Sequence, residues 1–274
     1  MPMNTAKLLL LNVLGGSAAD PSASFTAVTS GAQTLTIGAL TVSATTTVDW
    51  GDGSSDVYTG SGARTHNYAG AGTWQVRILE PLNVTTFRVN STGVPIVLNS
   101  ANIKGTLNVT DFRAYSLPAG SSGTFDSADV IAWRPSNFYL YSMPSGFGGT
   151  FDSADVSAWR PSDFFLHSMP SGYSFTLAAA DFSAWTSTAN LQMHGNALTQ
   201  AQVDAVLLGL YTAAQSRTVT GGSINLSGSN AAPSGTYAAD CPPTTGLGAK
   251  YELLNDSCGV IDPSETWTTI TTTA

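Results

Sequence analysis

The chain has 274 residues, 42% of them hydrophobic and only 10% charged, with 10 basic against 18 acidic side chains and a net charge of −8. That length and apolar content suffice for two domains with cores of their own. The absence of any basic cluster argues against a nucleic-acid partner, and no stretch reaches the ~20 apolar residues of a membrane helix.

Residues 1–22 open with Lys7, an apolar run from Leu8 to Leu11, Asn12, and then small residues. The run is brief and interrupted for a signal peptide, so the segment is read as an N-terminal strand or assembly arm. Residues 23–81 alternate in the β manner, with strands expected at Thr34–Ile37, Leu40–Ser43, Thr46–Asp49, Ala63–Tyr68 and Gly72–Ile78. Three motifs lie among them: Trp50-Gly51-Asp52-Gly53, His66-Asn67-Tyr68 and Gly72-Thr73-Trp74-Gln75-Val76. Together they resemble the PKD-like family, which implies an immunoglobulin-type β-sandwich. Asp49, Asp52 and Asp56 have the oxygen chemistry of a calcium loop, but turn formation by Asp52-Gly53 accounts for them more simply. His66 is read as a packed structural histidine.

Residues 82–262 carry a repeat. The 26 residues from Gly123 to Gly148 are followed at once by Gly149–Ser174, and twenty of the 26 positions are identical. Trp133, Trp159 and Trp185 keep the spacing into a third copy, while Phe112 and, more faintly, Phe87 begin earlier echoes. Each unit reads as an alternating strand (Phe138–Ser142, Phe164–Ser168), a Pro-Ser-Gly turn, and one or two helical turns with Asp126 or Ser127 (Asp152 or Ser153) as N-cap. Arg-Pro-Ser then ends the helix. A fixed period of this size marks a solenoid, in which each unit buries its apolar face against its neighbours.

Leu191-Gln-Met-His-Gly-Asn-Ala-Leu-Thr and the Gly-Thr-Phe opening each unit resemble the leucine-rich-repeat family, although Pro144 and Pro170 replace its asparagine in the two best copies. The fold class expected is mainly β with short helices: a PKD-like sandwich at 23–81, then an α/β leucine-rich-repeat-like solenoid with 26-residue repeats at 82–262. A C-terminal cap would contain a helix starting after Thr199, a second helix within 233–254 and a strand at Cys258–Ile261. The tail, 263–274, is read as a strand or exchange arm. The cap region resembles the last units of repeat proteins in bacteriophage structural genes.

No nucleophile elbow, P-loop, zinc-protease or dinucleotide motif is present, and no cofactor or metal is expected. The repeated acids Asp126, Asp129, Asp152 and Asp155 invite a glycosidase reading. Repetition argues instead for a cap or turn, since an active site is singular. His167 and His194 fall at equivalent positions of adjacent units, too few for a closed metal site. Cys241 and Cys258 are either a disulfide or two free thiols; a bridge suits the helical segment between them and an oxidising setting.

The candidate site is the strand face. With Phe138, Leu140, Phe164, Leu166, Leu191 and Met193 inward, parity turns Arg88, Asn90, Arg113, Tyr115, Tyr139, Tyr141, Phe165, His167, Gln192 and His194 outward. Exposed aromatics with arginine are the composition of a recognition surface, and the same face would serve as an assembly contact. The function expected is a non-enzymatic bacteriophage virion protein, of the tail or capsid surface, acting within a homo-oligomer or larger assembly. Its partners would be other virion proteins or a host-surface glycan or protein. The alternatives are a secreted cell-surface adhesin and a carbohydrate-binding module.

Overall fold

The computed structural model describes residues 22–104 and 108–274. The expected N-terminal arm lies, except for Ser22, outside the described residues. In chain order the strands are β1 (Ala23–Ser30), β2 (Gln33–Ile37), β3 (Ala39–Asp49), β4 (Ser55–Gly60), β5 (Arg64–Tyr68), β6 (Ala71–Ile78), β7 (Val84–Arg88), β8 (Ile96–Val97) and β9 (Asp111–Tyr115). There follow β10 (Ser122–Thr124), β11 (Asn137–Tyr141), β12 (Gly146–Asp152), β13 (Asp163–Phe165), β14 (Tyr173–Thr176), β15 (Asn190–Gln192), β16 (Ser223–Leu226) and β17 (Thr269–Thr272). The fold is mainly β, with short helices at Ser100–Ile103, Ala179–Phe182, Gln200–Ala214 and Gly246–Asn255.

Fifteen strands form one mixed sheet, in the order β14-β12-β10-β8-β1-β6-β3-β7-β9-β11-β13-β15-β16-β17, with β4 on β3; β2 and β5 pair separately. The centre is antiparallel: β1 pairs β6 and β8, and β3 pairs β6 and β7. Parallel ladders extend from both sides of this centre, β8-β10-β12-β14 on one and β7-β9-β11-β13-β15-β16-β17 on the other. This corrects the expectation of a self-contained sandwich followed by a separate solenoid. The N-terminal strands are the middle of the sheet that the later units extend. The physical reason is strand edges: β3 and β1 offer unpaired backbone groups, and β7 and β8 satisfy them.

Register is fixed by the apolar residues. Phe87, Phe112, Phe138, Phe164, Leu191, Ile224 and Ile270 occupy one row across seven strands. A slip of one residue would turn each of them to solvent. Phe112, Phe138 and Phe164 stack at 5.6 and 5.4 Å. Trp133, Trp159 and Trp185 wedge against them in turn, at 5.1, 5.1 and 4.9 Å. The 26-residue tryptophan spacing is thus one aromatic contact made three times. Four strands of this row, β7, β9, β11 and β13, are followed within three residues by a left-handed serine, Ser91, Ser116, Ser142 and Ser168, with φ of 54, 50, 49 and 52°.

The Gly-Thr-Phe openings are strands themselves and build the second ladder. Gly123 and Gly149 have φ of 147 and 139°, and a Cβ there would lie 2.0 Å from the Leu98 carbonyl oxygen and 2.2 Å from that of Phe125. Only glycine permits so close a stacking of backbones. The helical turns follow expectation in one copy and not in the other: Asp152 Oδ1 accepts from the Ala154 N–H at 2.9 Å, as an N-cap does. Ser127–Val130 is 3-10, and the Asp126 side chain does not cap it; its Oδ1 accepts instead from the Thr150 backbone N–H of the next unit at 2.8 Å. Thr199 does cap the Gln200–Ala214 helix, in a capping box with Gln202. Gln202 Nε2 also donates to the Phe175 carbonyl at 2.6 Å, closing the outer edge of β14.

At the C-terminal end, Cys258–Ile261 is turn and loop, and the last strand is β17 within the tail. Cys241 and Cys258 are joined in a disulfide. The wholly buried Glu252 holds both flanks, accepting from the backbone N–H of Cys258 at 2.9 Å and of Asp240 at 3.3 Å. Arg217, 2% exposed, donates to the carbonyls of Thr188, Gly221 and Glu265 and lies 3.6 Å over the Trp267 ring.

Candidate functional site

The side chains that alternate with the buried row form three parallel columns on the outward face of β7 to β17. The first is Asp111, Asn137, Asp163, Asn190, Ser223 and Thr269. Asn137 Nδ2 donates to Asp111 at 3.4 Å, Asn190 Nδ2 to Asp163 at 2.8 Å, and Ser223 Oγ to Asn190 at 3.1 Å. The second column is Arg88, Arg113, Tyr139, Phe165, Gln192 and Asn225. The third is Tyr115, Tyr141, His167 and His194, joined by ring contacts.

Asp111 anchors the N-terminal end of the face. It is 7% exposed and accepts from Arg88 at 3.1 and 2.7 Å and from Arg113 at 2.9 and 3.0 Å. Burial pushes its carboxyl up, but the hydrogen bonds from both guanidiniums outweigh burial and hold it below the usual carboxylate range. The same carboxylate raises Arg113 against the opposing effect of burial. So held, the Arg113 guanidinium lies 4.2 Å over the Tyr139 ring, and Tyr139 stacks on Phe165 at 4.4 Å. Tyr139 Oη donates to Asp163 at 3.0 Å. Burial, then that bond, pushes its phenol up to about 12.

The third column is continuous. Tyr115 and Tyr141 stack at 4.6 Å, Tyr141 and His167 at 4.4 Å, and His167 and His194 at 4.1 Å. Asn225 Nδ2 meets His194 Nδ1 at 3.2 Å. Burial and then the neighbouring His194 lower His167 to about 4, and burial lowers His194, so both imidazoles are neutral at pH 7. Their planes are nearly parallel, 19° apart. In-plane lone pairs of stacked rings do not converge on one ion, so the pair is unsuited to chelation.

The structure therefore brings Arg88, Arg113, Tyr115, Tyr139, Tyr141, Phe165, His167, Gln192 and His194 onto one face, each of them half-buried. Asn90 follows β7 and lies against Gly38. Sequence reasoning missed the first column. The signal for it was the Asn137/Asp163 difference between the two near-identical copies, which is an exchange of hydrogen-bond roles.

The repeated acids have structural work. Ser100 Oγ donates to Asp129, Ser127 Oγ to Asp155 and Ser153 Oγ to Asp181, each at 2.6 Å. The same three hydroxyls accept from the backbone N–H of Asp126, Asp152 and Ala178. Each serine clamps its unit to the next, and none of these acids stands free as an acid–base pair. The N-terminal candidates are likewise engaged. Asp49 accepts from the Gly51 N–H, Asp56 from Trp50 Nε1, and Asp52 from Ser54 and, at 2.8 Å, from His66. His66 stacks on Trp50 at 4.9 Å and meets the Tyr68 edge at 4.6 Å, while Tyr68 stacks on Trp74 at 5.0 Å.

No family model, no curated protein and no solved structure matches this chain. The PKD-like and leucine-rich-repeat-like resemblances, and the likeness to bacteriophage proteins, are corrected accordingly. The Trp-Gly-Asp-Gly, His-x-Tyr and Gly-x-Trp motifs reflect one ring stack and its carboxylate partner, with His66 and Tyr68 on the β2–β5 pair and Trp74 on β6 of the mixed sheet. Short motifs of that kind follow from local packing and carry no family membership with them.

Proposed function

We propose that this chain is a non-enzymatic scaffold whose outward strand face docks a protein partner. The observation that carries this reading is the ring geometry. In both aromatic columns neighbouring rings stack face to face at 4.1 to 4.6 Å, so within each column edges, hydroxyls and imidazole nitrogens are what a partner meets. A sugar-binding platform needs a free ring face. A row of tyrosine, histidine and arginine edges, ordered in advance at little further entropic cost, suits the centre of a protein interface. The common register and 26-residue pitch support a single spiral of units, with the two parallel ladders as its sides. The setting we assign is a virion surface, with a secreted or cell-surface location as the second reading; the disulfide and the low charge support an oxidising exterior in either case.

A photo-crosslinking amino acid at position 141 is expected to yield protein adducts from particle or cell-surface extracts. The same group at the exposed Val57 should not. Glycan-array binding abolished by Tyr139→Ala with Tyr141→Ala would overturn the protein reading in favour of carbohydrate. Proteomics of purified particles tests the virion setting independently.

A further inference from the structure

The two terminal strands of the large sheet are managed differently. At one end Gln202 donates its side-chain amide to the Phe175 carbonyl and so occupies the free edge of β14. The lateral strand β4 has a bulge in its pairing with β3 and carries Asp56; both devices discourage further pairing. At the other end β17 has none of these protections. From Thr266 to Ala274 the sequence contains no charged residue and no proline. Among the described residues no strand lies beyond it.

The backbone of β17 is oriented for another strand. Thr268 N–H donates inward to Gly222 at 3.1 Å, and the alternation of a parallel pair then turns the N–H and C=O of Thr269 and Thr271 to the open side. Both threonines are exposed, and Ile270 between them points into the core. The nearby cation, Lys250, sits on the core side of the strand and donates to Thr272 Oγ1 at 3.0 Å.

We propose that β17 is a self-pairing edge, through which two copies of this chain join antiparallel with Thr271 opposite Thr271. A two-fold contact sets the residue on the axis against itself and every other residue against its mirror position, so a charge on the axis would meet a like charge. An edge of uncharged, β-branched threonines meets that condition, and Thr–Thr pairs are favourable across strands. Thr269 then faces Thr273 of the other copy. The two-fold axis is normal to the sheet, so the aromatic faces of both copies look the same way and form one longer plate. The inference concerns the number of copies and stands apart from what the face binds.

Light scattering coupled to gel filtration of the full chain is expected to give twice the 28.3 kDa monomer mass. Thr271→Lys, an exposed substitution that places two cations together, is expected to return the mass to that of the monomer with an unchanged circular-dichroism spectrum. Thr271→Ser should remain dimeric. Oxidation by diamide should link Thr271→Cys chains into covalent dimers, since directly opposed residues lie about 5.5 Å apart at Cα; Val57→Cys, on β4, should stay unlinked. A monomeric wild type, a dimer that survives Thr271→Lys, or equal linking through position 57 overturns the proposal.

Discussion

Asp111→Asn tests whether the recognition face is organised by one carboxylate. The Asp111 side chain is 10% exposed and receives four N–H···O contacts from the two guanidiniums and a longer one from Asn137, with Arg88 35% and Arg113 21% exposed. Asparagine keeps one acceptor oxygen and turns an amide N–H₂ toward a guanidinium, so about two charge-assisted bonds are lost. At roughly 1.5–3 kcal/mol each, and discounted because both arginines keep contact with water, the expected loss is about 2–3 kcal/mol in urea unfolding. The pH dependence has a definite sign. The folded carboxyl is depressed, so its contribution is present above the unfolded value of about 3.9 and is lost as pH falls below it. Asp111→Asn should remove that acid-side slope. An Arg88→Met, Asp111→Asn cycle should show coupling of about 1 kcal/mol or more. Loss below about 0.5 kcal/mol with no coupling would show that the arginines are held by something other than Asp111.

Three further outcomes follow from the same geometry. Phe138→Ala, at 1% exposure between Phe112, Phe164 and Trp159, should cost about 3–5 kcal/mol in denaturant unfolding, and Phe138→Leu markedly less. Gly149→Ala, with φ of 139° and its Cβ 2.2 Å from a backbone oxygen, should cost about 2 kcal/mol or more and broaden the thermal transition. His167 lies at about 4 against an ordinary 6.5. The unfolded chain therefore binds the proton first, and stability is full above pH 6.5 and declines as pH falls from there through 4. Melting temperatures across that window should slope in the wild type and flatten in His167→Gln with His194→Gln.

Much of the face was legible because strand parity is a local property. Phe138, Leu140, Phe164, Leu166, Leu191 and Met193 alternate with their outward neighbours, and any half-buried strand must sort them in that way. The tryptophan period was legible for the same reason, as one contact recurring at one spacing. Partner choice between strands was not. Nothing local to Leu40 says that it will lie beside Phe87, or that Val97 will lie beside Ser122, because edges are satisfied by whichever backbone reaches them. The second ladder was obscured by its composition. Gly-Thr-Phe has too few β-branched residues to read as a strand, and its glycines mark close backbone approach that only the stacked neighbour explains. The serine–aspartate clamps resembled helix caps because capping and inter-unit bridging use the same residue types at the same spacing. The tryptophan-rich turn motif misled at the family level, since a ring stack with a carboxylate partner arises wherever a tight turn meets a sheet.

Each clamp reaches from the serine of one unit to the aspartate of the unit after it, so the series has a direction. Ser100 begins it, Asp181 ends it, and at the corresponding place in the last unit Ala179 offers no hydroxyl. A gene segment encoding one such 26-residue block therefore carries both halves of the joint it needs. Duplicated in frame between the first and last clamps, it would meet a matching donor behind and a matching acceptor ahead. The length of the outward face is thus something that recombination can adjust by whole blocks, with the two ends left as they are.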